Sequence, residues 1–299
     1  NKFTRINALG QVTRIYQVNG YKQDGEFAYD GYGNIYFIAS ALGKKTSRNS
    51  RIMSLELETG KVSLALDFDN FLSEMYKKSG KKANWIDINS VQVCGTNKLI
   101  ISSKSLSSIF KVSNVGSLLP KLDYIIADKD IWAKCKNLKK KVLKKYSKDD
   151  ADESATADPS ATDDTDSIES ILNQGKKKPD PFRSQYGQNA LTSNSSGTLI
   201  TMLNNNAGKY AKKSNGKSYY YQFKVNESAK NYRVSEKKAF EKTSNNGNII
   251  KRDNSYIYCC SDKGKFIETD SAGKLIKGFK TGGRPYRVYK NDWKNFWFY

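Results

Sequence analysis

The chain has 299 residues, a formal net charge of +21 and no histidine. The lack of histidine excludes Ser-His-Asp triads, Cys-His dyads, His-ligated zinc and phospho- or sulfohistidine chemistry. No stretch approaches the roughly 18 apolar residues that a membrane-spanning helix requires, so we expect no transmembrane segment. The length allows one large domain, or two small ones, with a buried core. Because the sequence begins at Asn1 rather than Met, we expect a processed or trimmed start.

Apolar strands joined by turns that contain Gly or Asn recur along the chain. The sequence predicts a strand pair over residues 7–18, and units of several strands over residues 31–66, 97–112, 195–234 and 246–279. Repeated hairpins with about four strands per unit are typical of β-propeller blades. We therefore predict an all-β propeller with about four to five blades in this chain, and further blades upstream of Asn1 are left open. A β-sandwich is the competing architecture.

Tyrosine is frequent in these strands, as packing alone would require. In the triplet at residues 219–221, strand geometry predicts Tyr219 and Tyr221 on one face and Tyr220 on the other. A single stacking platform is therefore not implied.

Helices are predicted only between strands, over residues 69–78, 128–146 and 166–173. Residues 134–148 contain eight lysines and no acid, and residues 149–170 contain nine acids and no base. Such a segment buries too little apolar surface to offset its ordering entropy. We therefore predict a charged, largely flexible insertion over residues 134–180 within one domain of residues 1–299. It is either a solvated, self-neutralising loop or a regulatory, partner-binding one.

Lysine outnumbers arginine 42 to 9 in this sequence. Proteins that read nucleic acids depend on the bidentate arginine fork, and no DNA- or RNA-binding motif is present, so we expect no sequence-specific nucleic-acid partner. A lysine-rich surface favours a general polyanion, such as an anionic cell-envelope polymer. The four cysteines lack Cys-x-x-Cys spacing, and one disulfide is left open. Cys259 and Cys260 are neighbours in a predicted strand, and we predict that each is a small buried apolar residue.

Five strings occur in order at residues 84–90 (NWIDINS), 100–112 (IISSKSLSSIFKV), 185–190 (QYGQNA), 202–206 (MLNNN) and 286–289 (YRVY). Together they resemble the bacterial arylsulfate sulfotransferases, which pass a sulfuryl group between phenols without the nucleotide donor PAPS. The resemblance implies a six-bladed propeller with its active site at the mouth of the central channel. It also implies an exported bacterial protein, extracellular or at the cell surface.

The family's chemistry uses histidine, and the resemblance implies that each histidine is replaced here. One family histidine attacks the sulfuryl sulfur and carries it covalently, while other histidines and an arginine hold the sulfuryl oxygens and protonate the leaving phenol. The matching positions are Asn189 for the nucleophile, Asp24, Gly25 and Asp87 for other histidines, Lys104 for an arginine, and Asn89, which is unchanged. An amide cannot accept a sulfuryl group as imidazole does, and carboxylates repel sulfate, so we expect no catalytic residue at these positions.

The sequence therefore favours a non-catalytic binding or interaction module with a small, unidentified ligand in the channel. An active arylsulfate sulfotransferase and a lysine-rich binder of anionic envelope polymer are the alternatives. The candidate ligand-binding residues are Asp24, Glu26, Asp87, Asn89, Lys104, Asn189, Asn204 and Arg287. The carboxylates of Asp24, Glu26 and Asp87 suit a calcium site, because Ca²⁺ prefers oxygen ligands. Alternatively they pair with Lys104 and a neighbouring arginine, and no other cofactor is expected.

Overall fold

Antiparallel strands dominate the chain in this computed structural model, which describes residues 1–43, 47–146, 184–211 and 216–290. The first sheet has two strands, β1 (Lys2–Ile6) and β2 (Val12–Gln17). The predicted strand pair is therefore real, but it begins at Lys2, because residues 7–11 form the turn. In that turn the Asn7 side chain accepts hydrogen bonds from the backbone of Leu9 and Gln11.

Four larger sheets follow, each a meander of consecutive antiparallel strands, and we name them blades I to IV. Blade I contains β3 (Tyr21–Tyr29), β4 (Asn34–Ala41), β5 (Arg51–Glu56) and β6 (Val62–Asp67). Blade II contains β7 (Ile88–Val93), β8 (Leu99–Ser103), β9 (Ser108–Ser113) and β10 (Lys121–Ile126). Blade III contains β12 (Asn189–Ser193), β13 (Leu199–Asn204), β14 (Lys217–Asn226) and β15 (Asn231–Glu241), with β11 (Lys144–Lys145) parallel to β15. Blade IV contains β16 (Ile249–Arg252), β17 (Ser255–Cys260), β18 (Lys265–Asp270) and β19 (Leu275–Lys280).

The first strands of neighbouring blades lie side by side, β3 against β7 and β7 against β12. Four-stranded meanders with their first strands toward a common axis make a β-propeller, which confirms the predicted fold class. Four complete blades and one two-stranded sheet match the expected four to five. The total of six blades stays a prediction.

The hydrophobic core lies between successive sheets rather than in one central cluster. Phe68 of blade I packs against Phe110 of blade II, and Tyr220 of blade III packs against Tyr256 of blade IV. Strands β8 and β9 are buried along their whole length because both faces of blade II are covered. Burying each large side chain contributes about 1.5–3 kcal/mol, so the contact between blades holds the fold together.

The residues between strands form little helix. The predicted helix over residues 69–78 is observed as two short ones, α1 (Phe68–Phe71) and α2 (Ser73–Lys78). The prediction over residues 128–146 is wrong, because only α3 (Lys129–Trp132) and a 3₁₀ turn (Leu138–Lys141) form there. The helix predicted over residues 166–173 lies outside the described residues.

The lysine-rich stretch 134–146 does not follow the predicted helix for two physical reasons. Lysines three and four residues apart would repel one another along a continuous helix. Instead, the backbone pairs with two blades: Leu143 N donates to Ile125 O at 2.8 Å, and Tyr146 N donates to Tyr232 O at 2.8 Å. The first part of the predicted insertion is therefore regular structure, and residues 147–180 lie outside the described residues.

All four cysteines are buried and none forms a disulfide. The burial confirms the prediction for Cys259 and Cys260. Among the described residues, no helix has the length and apolar character needed to cross a membrane.

Candidate functional site

The predicted site residues converge where the first strands of blades I, II and III meet. Asp24 and Glu26 lie on β3, Asn89 lies on β7, and Asn189 begins β12. Arg287 follows β19, in the segment 281–290 that we call the strap. The strap reaches back to these strands, and we give the name mouth to the place where they meet.

Arg287 joins the three blades through one buried guanidinium. It forms an ion pair with Glu26, and the side chains of the two residues are only 4% and 12% exposed. Its Nη2 donates to Asn189 Oδ1 at 3.0 Å and to the backbone oxygen of Asn89 at 3.4 Å. Burial lowers the pKa of Arg287 and the Tyr289 hydroxyl raises it, but an arginine side chain stays protonated in proteins. The charge of Arg287 is therefore engaged within the molecule.

The strap is itself held in place by blade IV. Val288 N donates to Asn248 Oδ1 at 2.9 Å, and Asn248 Nδ2 donates to Val288 O at 2.7 Å. Gly247 N donates to Tyr286 O at 2.9 Å. These bonds fix the backbone on both sides of Arg287. The guanidinium is therefore held in a position from which it pairs with Glu26.

Asn189 lies at the centre of this group and connects its members through hydrogen bonds. Its Oδ1 accepts from Arg287, from Asn89 Nδ2 at 3.3 Å and from the Ala190 backbone at 2.9 Å. Its Nδ2 lies 3.4 Å from Gly247 O, to which it donates. Both ends of the amide are thus committed to holding the blades together.

The string before Asn189 fits between blades II and III, and it needs glycine at one position. Gly187 has φ +59°, and a Cβ there would lie 2.7 Å from Ala207 O. Next to it, the fully buried Gln188 donates from Nε2 to Ser102 Oγ and to the backbone oxygens of Ser103 and Ser108, at 3.0–3.1 Å. The resulting rigid loop sets the position of the Asn189 side chain.

A second polar group lies beside the first and is centred on Asn49. Asn49 Nδ2 donates to Asp24 Oδ2 and to Asp87 Oδ1, both at 3.1 Å, so one amide satisfies two carboxylates. Asn49 is itself held by Ser40, whose Oγ accepts from the Asn49 backbone at 2.8 Å. The sequence analysis missed Asn49, since no pattern distinguishes it from other loop asparagines.

Tyr286 covers the two carboxylates from the strap. A Cβ at Gly25 would lie 3.7 Å from the Tyr286 hydroxyl, which places the ring over β3. Burial raises the pKa of Tyr286 to about 12, and the negative charges of Asp24 and Asp87 add to the increase. The hydroxyl is therefore a neutral donor rather than a phenolate nucleophile.

Two of the predicted site residues, Lys104 and Asn204, form contacts outside these two polar groups. Lys104 directs its ammonium to Asn245 Oδ1 at 2.7 Å, and the expected pairing of the carboxylates with Lys104 is not observed in the described chain. The neighbouring arginine of that prediction is Arg287, which pairs with Glu26. Asn204 is 2% exposed, and its Oδ1 accepts from the backbone of Tyr186 and Asn206, so it stabilises a turn.

The three carboxylates are divided between the two groups. Glu26 faces Arg287, whereas Asp24 and Asp87 share Asn49. Within the described ranges no group of three or more His, Cys, Asp or Glu side chains is arranged to hold a metal ion. Asp24, Glu26 and Asp87 thus have different partners, and the calcium site stays a prediction.

Several buried polar atoms at the mouth have no hydrogen-bond partner. Glu26 Oε2, Asn89 Oδ1 and Arg287 Nε are buried without a hydrogen-bond partner. Buried polar atoms are normally satisfied by protein or by ordered water, so these atoms mark where water or a ligand group would bond. Because the carboxylates of Asp24, Glu26 and Asp87 outnumber the one guanidinium of Arg287 here, the local charge favours a cationic group over an anion.

Comparison with known proteins gives one assignment. No curated protein sequence matches the chain. Solved structures with similar chain paths include Pseudomonas aeruginosa periplasmic gluconolactonase PpgL (8% identity, TM-score 0.47, 95% of this chain and 64% of that one). Others are the Myceliophteria thermophila Cps50 (Swd1) β-propeller domain (7%, 0.45, 92% and 77%) and Citrobacter koseri AztD (10%, 0.38, 93% and 52%). The chain thus spans less than two thirds of PpgL and about half of AztD.

The family comparison covers most of the chain and points to a single group. Residues 1–248 match the family described as arylsulfotransferase (ASST), and the strap lies beyond the matched residues. The chain therefore belongs to the arylsulfotransferase family.

Proposed function

We propose that this chain is a non-catalytic member of the arylsulfotransferase family, in which the mouth binds a ligand without transferring a sulfuryl group. The observation that carries this proposal is the engagement of Arg287. Its guanidinium is paired with Glu26 and bonded to Asn189, so this charge is not free to hold sulfuryl oxygens, and Lys104 stands at the position that an arginine occupies in the resemblance to the family.

The side chains that could act as nucleophiles support the same conclusion, because each is unreactive or buried. Asn189, which stands at the nucleophile position in the resemblance to the family, has a delocalised lone pair that cannot carry a sulfuryl group. Tyr286 is held neutral by its raised pKa, and Ser90 is fully buried. All four thiols are buried as well, and burial raises the pKa of Cys94 and Cys259 to about 11.

The charge of the mouth supports a change of ligand class. An aryl sulfate brings a negative charge to a site where Asp24, Glu26 and Asp87 outnumber Arg287, and repulsion in a partly buried site is only weakly screened by salt. A ligand with an amine or another cationic group is favoured there. The unpartnered oxygens Glu26 Oε2 and Asn89 Oδ1 would accept hydrogen bonds from such a group.

An activity assay tests the proposal directly. The protein is incubated with a chromogenic aryl sulfate and a phenol acceptor, beside a family member that has its histidines, and we expect release of the chromophore at the buffer rate. Turnover that is lost in Lys104→Ala but kept in Lys98→Ala would contradict the proposal and support an active sulfotransferase. Lys98 is a suitable matched control because it is an exposed lysine on the turn before β8.

We further propose that the protein is exported and acts at the bacterial cell surface, with support from its family membership alone. Fractionation of the native host followed by immunodetection tests this proposal. Recovery in the cytosolic fraction only would contradict it.

A further inference from the structure

A dense group of lysines lies on the outer edge of the propeller, away from the mouth. We call it the lysine face, and it consists of six exposed side chains: Lys129, Lys139, Lys140, Lys141, Lys144 and Lys230. Five of them come from one stretch of 16 residues, 129–144, and the sixth is contributed by the turn between β14 and β15. The backbone joins the two parts, since Lys144 N donates to Lys230 O at 3.1 Å.

The lysine face is built on a rigid base. Val142 forms a parallel bridge with Ile125 of blade II, and β11 pairs with β15 of blade III. Leu143 is 7% exposed and packs into the core between these blades. The segment therefore spans two blades, and its lysines are displayed at fixed positions rather than on a free tail.

Two hollows flank this segment and share Val142 and Leu143. The larger, of about 690 Å³, is lined by Lys129, Lys139 and Lys144 among others. The smaller, of about 300 Å³, is lined by Lys140, Lys141 and Lys230 among others. Both hollows are therefore lined by lysines, and they lie next to each other along the same segment.

The acidic residues in these hollows are already engaged elsewhere. Glu227 forms an ion pair with Lys111, and Asp123 accepts from Ser113 Oγ at 3.0 Å. Asp128 caps α3 and accepts from the Tyr186 hydroxyl at 2.9 Å.

None of the six lysines has a carboxylate partner within the described ranges. Clustered like charges without partners oppose folding, so the face is better explained by an anion outside the described fold than by a salt-bridge network.

We propose that the lysine face binds a linear phosphate polymer that has no bases, of the kind found in anionic cell envelopes. This goes beyond the proposed function of the mouth and does not depend on it. Lysine ammonium groups are point-charge partners for phosphate and do not need the planar geometry that the arginine fork reads. No exposed aromatic pair lines the two hollows in the described chain, and Tyr232 there is 2% exposed, so the stacking platform that single-stranded nucleic acids use is missing.

The test uses fluorescently labelled inorganic polyphosphate as the probe and anisotropy at several salt concentrations as the readout. The face variant replaces Lys139, Lys140, Lys141 and Lys144 with Gln. The matched control removes the same charge by replacing the exposed Lys2, Lys61, Lys274 and Lys277 of other sheets with Gln. We expect the face variant to bind at least about tenfold more weakly near 0.1 M salt, with the slope of log K against log salt smaller by about 3.

Three outcomes would overturn the proposal. Equal losses in the face variant and the control would mean that binding follows net charge alone. Tighter binding of single-stranded DNA than of polyphosphate would identify a nucleic-acid surface. If polyphosphate binds only after the nine acids of residues 149–170 are replaced by Asn and Gln, the occupant of the lysine face is this chain's own acidic segment. Circular dichroism of both lysine variants checks that they fold.

Discussion

Removing the guanidinium of Arg287 tests the central feature of the site, the buried pair with Glu26. We consider Arg287→Met, which keeps much of the side-chain volume but removes the charge. Breaking a buried ion pair by deleting one partner costs about 3–5 kcal/mol, because the other charge is left buried. Since Glu26 is 12% exposed and can gain some water, we expect the lower end, about 3 kcal/mol.

A double-mutant cycle separates this pair from general packing effects. We expect Glu26→Gln combined with Arg287→Met to recover part of the loss, since a neutral amide is cheaper to bury than an unpaired carboxylate. Thermal and urea unfolding of the four proteins provide the measurement, and a loss of about 3 kcal/mol lowers the Tm by roughly 6–12 °C in a protein of this size. Equal free energies of unfolding for the single Arg287→Met and double variants would refute the pairing argument.

The pH dependence of the same variant gives a second check with a definite sign. Without Arg287, an ionised Glu26 would be left buried without a partner, and burial disfavours the charged form of a carboxyl group. A group whose pKa is raised by folding contributes stability below the unfolded pKa and loses it as the pH rises through the folded pKa. The deficit of Arg287→Met relative to the wild type should therefore be smaller at pH about 4 than at pH 7. A deficit that grows on acidification would contradict this account.

Four further predictions follow from individual contacts. Gly187→Ala should cost at least about 2 kcal/mol in urea unfolding because its Cβ meets a backbone oxygen at 2.7 Å, whereas Gly116→Ala, also at positive φ but in open space, should cost about 1 kcal/mol. Asn49→Ala should destabilise by about 1–3 kcal/mol by removing the donor shared by Asp24 and Asp87, and adding Asp87→Asn should recover part of this; no recovery would contradict the sharing. A disulfide reagent at pH 8 should label none of the four buried thiols before unfolding, since burial raises the pKa of two of them to about 11, and rapid labelling of the native protein would be the contrary result. Millimolar Ca²⁺ should leave the Tm unchanged because the three carboxylates are divided, and a clear rise in Tm would restore the calcium site.

The blades could be predicted from the sequence because their signal is local. Strand alternation and turn residues are properties of a few neighbouring positions, and each blade is a meander of consecutive strands. Alternation also placed Tyr219 and Tyr221 on the opposite face from Tyr220, as observed: the first two rings stack at 5.7 Å, and Tyr220 packs toward blade IV.

The contacts of the site could not be predicted because they join distant parts of the chain. Arg287 bonds to the backbone of Asn89, which lies 198 residues earlier, and no local pattern reports that proximity. The resemblance to the family brought both residues onto the candidate list, but not the pairing of Arg287 with Glu26. Asn49 was not among the predicted site residues for the same reason, since its two acceptors come from distant parts of the chain.

The helix predicted over residues 128–146 shows where a composition signal fails. A run rich in lysine has good intrinsic helix propensity, and Asp128 provides an N-cap. Tertiary pairing of residues 142–146 with blades II and III outweighs that propensity, because it satisfies backbone groups that an isolated, self-repelling helix would leave in water.

The same polar residues that make the mouth unsuited to sulfuryl transfer make it suited to holding the blades in place. A site for an anionic transition state needs a cation whose charge is free to meet the developing negative charge. Arg287 forms an ion pair with Glu26 and donates hydrogen bonds to Asn189 and to the Asn89 backbone. Each of these partners belongs to a different blade. Freeing Arg287 for a ligand would therefore remove a buried polar link between blade I and blades II and III. This coupling is why we expect substitutions at Arg287 to appear first as a loss of stability rather than as a change in activity.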